Sequence, residues 1–271
     1  MPAEGARQNW KKPALMNGLA PPLQAVLFIG VIVLLSSAGV VVTRRFARQA
    51  TLAEHNHLAG YVIAVIGVIY AVLLAFMALA VWERYAQAEI RTYDEANNLV
   101  NLYRDVGSLS NGHALRAEIV DYTRRVIDEE WPMMQSGRES RQADIELERL
   151  AGQIRQAPIR TMLQQNLQAD ALMRLNTVLL DRDERLSMSV GALPPLIWWI
   201  LLCGAAVTIG FTFLFGFQRL ELHLITTGLL AITIGLSLFL TYSVDAPFGR
   251  GVRVEPRAFE RALQTYEVVG R

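Results

Sequence analysis

Three observations predict an all-α membrane protein with four transmembrane helices and a helical bundle inserted between the second and third spans. First, the windows Leu23 to Thr43, Leu58 to Trp82, Pro194 to Gln218 and Leu222 to Val244 hold no Asp, Glu, Lys or Arg, although 26 basic and 25 acidic residues occur in the 271-residue chain. A charge at a helix centre costs roughly 2.5 to 3.5 kcal/mol on insertion scales, so charge-free windows of this length read as spans. Second, the polar stretch between the second and third windows keeps helical periodicity and shows no strand-like alternation. Third, small residues recur in the second window at steps of three and four, as close helix packing in lipid requires.

Residues 1 to 22, with Pro2, Pro13, Pro21 and Pro22, read as a mobile polar tail. The first span, Leu23 to Thr43, follows Lys11 and Lys12. Its apolar run exceeds the ~7 to 15 residues of a signal peptide, so a retained anchor is expected. The connection after it carries Arg44, Arg45 and Arg48 and ends in His55, Asn56 and His57. A His-x-His pair holds a metal only where further ligands converge, and none is visible, so these read as interfacial histidines.

The second span begins at Leu58 and meets no Gly or Pro after the membrane until Gly107, so one helix of about 49 residues is predicted. Gly60, Ala64, Gly67, Ala71, Ala75 and Ala78 form its helix-packing seam, and the rhythm continues through Trp82, Tyr85, Glu89, Thr92, Ala96, Leu99 and Tyr103. Residues 23–82 thus form the first pair of spans and 83–193 the extramembrane bundle.

Within the bundle a second helix is predicted from Ala114 to Trp131, with Leu115, Ile119, Tyr122 and Val126 on one face and Pro132 ending it. A third carries Ile145, Leu147, Leu150 and Ile154, and a fourth runs from Ile159 to Met188 with Leu163, Leu167, Leu175, Val178, Leu179 and Leu186. Four antiparallel helices then make the bundle. The third and fourth spans, residues 194–244, form a hairpin joined by Arg219, Leu220 and Glu221, with Trp198 and Trp199 in an interfacial belt. Residues 245–271 are a charged tail with a short amphipathic segment around Phe259, Leu263 and Tyr266.

With four spans the N-tail, bundle and C-tail share one side. Twelve Lys and Arg near those membrane boundaries, against four on the other side, predict that side to be cytoplasmic in a multi-pass protein of the cell membrane. The net charge of +1 offers nothing to nucleic acid, so the lipid bilayer is the expected partner. Lone Cys203 lies inside a span. No phosphate-binding Gly loop, Gly-x-Ser-x-Gly elbow, His-Glu-x-x-His helix or paired-cysteine metal site is present, so neither an enzyme nor a cofactor or metal is predicted. The run Asp128, Glu129, Glu130 points its carboxylates about 100° apart and reads as a solvated helix end. His223, at the start of the fourth span, reads as a headgroup-level residue or a pH-sensitive group. Spans without Asp, Glu, Lys or Arg argue against a proton pump or active transporter.

Leu73, Leu74, Ala75 and Phe76, followed by Val81, Trp82, Glu83, Arg84 and Tyr85, resemble the end of the second membrane helix of bestrophins. Asp245, Ala246, Pro247, Phe248 and Gly249, followed by Glu255 and Pro256, resemble the acidic-Pro-Phe-Gly segment after their last span. With Glu130, Trp131 and Pro132, these motifs are most similar to the bacterial proteins called bestrophin-like, over roughly Leu58 to Glu260.

That resemblance implies a homo-oligomer forming a passive channel for a small inorganic ion, with the neck of its pore lined by the second helix. Anchored on Trp82, the neck positions fall at Ala64, Val68 and Val72, smaller than the bulky side chains of the family's neck. Val81 replaces the second tryptophan of the family's pair, and no acidic run after the last span resembles the calcium clasp of the animal proteins. The alternative is a non-conducting scaffold or sensor whose bundle binds a partner or ligand.

Overall fold

The computed structural model describes residues 21–46, 56–249 and 251–270; residues 1–20 of the expected tail, Arg48 and His55 lie outside them, and Pro21 and Pro22 belong to the first helix instead of the tail. The described residues form nine α-helices and no strand: α1 (Pro21–Phe46), α2 (Asn56–Val106), α3 (Gly112–Arg125), α4 (Trp131–Met134), α5 (Arg141–Arg155), α6 (Met162–Ser187), α7 (Pro195–Thr212), α8 (Leu220–Val244) and α9 (Arg257–Val269). Among the described residues, four helices are long and apolar enough to cross a membrane: α1, α2, α7 and α8.

Helix α2 runs unbroken for 51 residues, about 76 Å at ~1.5 Å per residue. It ends where Gly107 and Gly112 make a tight turn. A Cβ at Gly112 would stand 2.4 Å from the Val106 carbonyl oxygen, so that turn requires glycine.

The chain divides into two compact units, Met1–Leu74 with Ile200–Leu240, and Ala75–Trp199 with Thr241–Arg271. In the first unit, Tyr70 donates from its hydroxyl to the Leu201 carbonyl at 2.9 Å, and its ring lies where a Cβ on Gly204 would be. Gly39 receives the Phe213 ring in the same way. The third and fourth apolar helices are joined by more than Arg219 to Glu221, because α7 stops at Thr212. His223 is buried, and its Nε2 donates to the Thr212 carbonyl at 3.0 Å, which gives that last carbonyl of the helix a partner. Asn56 brackets Gly216, donating to its carbonyl at 3.1 Å and accepting from its N–H at 3.0 Å. These bonds hold the residues after Thr212 in a loop instead of a further helical turn.

The second unit holds the main apolar core, built from Leu99, Leu102, Leu115, Ile119, Leu147, Leu150, Leu175 and Val178 among others. Helix α6 lies antiparallel to α2, tied by Arg91 to Glu184 at 2.5 Å, Asn98 to Asp181 at 2.8 Å and Asp105 to Arg174 at 2.8 Å. Four expectations are corrected here. The predicted Ala114–Trp131 helix is α3 followed by a π-helical turn, Val126–Glu130, and then α4, so Pro132 lies inside helix instead of ending it. Its buried residues Leu115, Ile119, Tyr122, Val126, Glu130 and Met134 fall mostly four apart, a spacing that drifts around a 3.6-residue helix. The wider π turn brings that row back to the core.

Helix α6 begins at Met162, where the Thr161 hydroxyl accepts from the Gln164 N–H at 3.2 Å, and not at Ile159. Leu163 is exposed because the inward face of α6 runs through Ala171, Leu175, Val178, Arg182 and Arg185, and Ile145 is exposed because that of α5 runs through Ala143, Leu147, Leu150, Ala151 and Ile154. The fourth correction concerns the C-terminal segment. Phe248, Val254, Ala258, Phe259, Ala262 and Tyr266 belong to this core, so the bundle is completed by α9 and not by four helices alone.

Candidate functional site

Arg182 and Arg185 are three residues apart on α6 and face the core, where burying an unpaired charge would cost several kcal/mol. Each finds carboxylates from other elements. Arg185 donates from Nε to Glu95 Oε2 at 2.6 Å, from Nη2 to Glu95 Oε1 at 3.1 Å and from Nη2 to Glu130 Oε2 at 2.8 Å. Arg182 donates from Nη2 to Glu130 Oε1 at 2.6 Å and also binds Asp144, which is half exposed. Tyr122 donates to Glu95 Oε1 at 3.1 Å, and the Ser140 N–H donates to Glu130 Oε1 at 3.3 Å. Ser140 also caps α5, so one residue ties the cluster to a helix start.

Glu95, Glu130, Arg182 and Arg185 are all essentially fully buried. Burial pushes the Glu95 carboxyl up, against the pull of Arg185. Burial also acts upward on Glu130, but Arg185 and Arg182 together reverse it and hold that carboxyl below its ordinary range. The two guanidiniums are raised by their carboxylate partners despite burial. Both carboxylates are satisfied by donors, and only the Arg182 to Asp144 side reaches solvent. The cluster pins α2, α3 and α6 together and leaves no open coordination or substrate position. Glu130 was expected at a solvated helix end; the π turn instead aims it inward, while Asp128 and Glu129 are exposed.

Residues of two of the three sequence motifs meet beside this cluster. Trp131 packs edge-on against Phe248 at 5.3 Å and against Phe259 at 5.8 Å, and the Arg185 guanidinium lies 5.5 Å from the Trp131 ring centre. Pro132, exposed, borders a cavity of about 280 Å³ with Arg253, Glu255 and Glu260. Asp245 Oδ1 accepts from the Leu193 N–H at 2.9 Å, and burial pushes that carboxyl up. The Pro247 carbonyl accepts from Val254 N–H at 2.8 Å, and Gly249 N–H donates to Ala246 at 2.9 Å, folding the segment back so that Phe248 reaches the core. Trp82 is exposed and stacks on Tyr85 at 5.9 Å, and Glu83 is exposed beside it.

On α2 itself, Tyr70 and Leu74 are buried while Ala64, Val68 and Val72 are exposed on another face. Of the small seam, Gly60 and Gly67 have no neighbour within 4 Å of where a Cβ would stand, and Ala64, Ala71 and Ala75 are exposed, with Ala78 partly covered. His57 is exposed, and among the described residues no three His, Cys, Asp or Glu side chains converge as metal ligands.

A family model for the bestrophin-like domain matches residues 30–259. The chain belongs to the bestrophin-like family. It is therefore a membrane protein, and its four long apolar helices are the physical counterpart of that assignment. Solved structures share the bestrophin-like fold at low identity. A variant of a bacterial bestrophin homologue from Klebsiella pneumoniae is 14% identical with a TM-score of 0.67, covering 89% of this chain and 98% of that one. A second variant of that homologue is 13% identical with a TM-score of 0.66, covering 92% and 100%. A variant described as a membrane protein is 12% identical with a TM-score of 0.65, covering 93% and 100%. No curated protein matches the chain.

The buried cluster was missed from sequence, although a signal existed. Arg182 and Arg185 continue the seam Ala171, Leu175, Val178 at steps of four and three, and Glu95 follows Thr92 on the covered side of α2. Charged residues in register with an apolar row mark partners that must come from elsewhere in the chain.

Proposed function

We propose that this bestrophin-like chain forms a homo-oligomeric, passive ion pathway along α2, with Ala64, Val68 and Val72 facing the pore. The observation that carries this reading is the exposure of those three side chains on one face of a helix whose other face holds buried Tyr70 and Leu74. Open space beside Gly60 and Gly67 supports it, because a second copy can then approach the small seam closely. Bestrophins are ion channels, and membership of their wider family supports the same assignment. In this arrangement the bundle 83–193 is inserted between the second and third spans and stands in the cytoplasm with both tails. The apolar, small neck positions suit passage without a bound cofactor.

Reconstitution of the purified full chain in planar bilayers is the test. The expected result is a conductance that changes when Val68 is replaced by Glu, and an oligomeric mass in detergent. A monomer that passes no current overturns the reading. An oligomer that passes none would favour a non-conducting scaffold or sensor whose bundle binds a partner.

A further inference from the structure

Helix α6 carries an apolar row that nothing among the described residues covers. Met162, Met173 and Leu180 are 72%, 65% and 64% exposed, and their spacings of eleven and seven residues put them on one line along the helix, opposite the inward row Leu175, Val178, Arg182. Ala169 falls on the same line, with exposed Asp170 on one flank and exposed Asp183 on the other. Elsewhere in the same unit, α2 and α9 enclose an open groove of about 500 Å³. Its lining includes the small residues Ala96, Ala258 and Ala262, which let another helix come close, and Asn97 of α2. One arginine comes from each wall, Arg104 from α2 and Arg261 from α9; both are exposed, and neither has an acidic partner among the described residues.

We infer that α6 of one copy seats its Met162, Met173 and Leu180 row in the α2/α9 groove of a second copy, with Asp170 and Asp183 meeting Arg104 and Arg261. The occupant is assigned by complementarity: an apolar row flanked by an acid on each side fits a small-floored groove with a base on each wall. The two surfaces differ. Helix α6 packs on the α2 face bearing Arg91, Asn98 and Asp105, whereas the groove uses Tyr93, Asn97, Val100 and Arg104. The contact is therefore heterologous, head to tail, the kind that closes into a ring when the rotation allows it. This inference rests on the homo-oligomer of the proposed function and says which surfaces build it.

The test is disulfide crosslinking of the detergent-solubilised full chain carrying Cys203→Ser. Met173→Cys or Leu180→Cys is combined with Asn97→Cys or Asn101→Cys in one chain. A combined pair that yields a ladder of covalent multimers, while each single cysteine yields none, is the expected result. Adding Arg104→Glu and Arg261→Glu should lower the crosslinked fraction about tenfold, and further adding Asp170→Arg and Asp183→Arg should restore it. An oligomeric native mass with no ladder from any pair overturns the inference and leaves the channel reading standing. A dimer formed by Leu180→Cys alone overturns it in favour of a symmetric contact. A monomeric native mass overturns both readings.

Discussion

Glu95 and Arg185, ninety positions apart in sequence, form a buried bidentate pair, Nε to Oε2 at 2.6 Å and Nη2 to Oε1 at 3.1 Å. Arg185 is also the link between Glu95 and Glu130, since its Nη2 bonds both carboxylates. Removing it leaves two buried acids with one arginine. Arg185→Ala is therefore expected to cost ~3–5 kcal/mol, read as a fall in the thermal midpoint of the solubilised protein. Tryptophan fluorescence should shift with it, because Trp131 lies against that guanidinium.

The pH response of the cluster has two opposing parts. Glu130 is held below its ordinary value near 4.5, so the stability it contributes is present above that value and lost as pH falls through the lower folded one. Glu95 is raised, mainly by burial, so its contribution favours the folded state at low pH and is lost as pH rises through the raised folded value. Glu130→Gln should flatten the acid loss, and Glu95→Gln should flatten the loss on the rising side. Thermal midpoints measured between about pH 3 and 7 decide this, and identical slopes in both variants would contradict the assignment.

Trp131 should be the most costly apolar residue of the motifs to truncate. Its ring contacts Phe248 and Phe259 and is 5% exposed. Trp131→Ala is expected to cost ~3–5 kcal/mol by chemical denaturation, against a much smaller effect for exposed Trp82→Ala.

Asp245 separates charge from hydrogen bonding. Asp245→Asn keeps an oxygen for the Leu193 N–H and removes a carboxyl that burial already disfavours, so stability near neutral pH should be unchanged or higher. Asp245→Ala leaves that N–H without its partner and should cost ~1–3 kcal/mol. Amide exchange at Leu193 would report the difference directly.

Gly204 tests packing in the first compact unit. A Cβ there would stand 2.5 Å from the Tyr70 ring, which is buried and held by its bond to the Leu201 carbonyl. Gly204→Val is expected to lower stability by ~1–3 kcal/mol in a melt. Gly210→Val, where a Cβ meets nothing within 4 Å, is the control and should have little effect.

The amino-acid sequence by itself determined the four apolar helices and the unbroken run of α2, because a charge-free window and the lack of Gly or Pro act locally, residue by residue. It also determined the family, through short motifs whose order survives without any contact being known. Only the tertiary structure decided that Glu130 points inward, that Arg182 and Arg185 are core residues and that α9 completes the bundle. A carboxylate or guanidinium is solvated or buried according to whether an opposite charge waits for it, and here the partners lie 52, 55 and 90 positions away. The π turn after Arg125 adds the remaining part, since that register change alters which side of the helix meets the core.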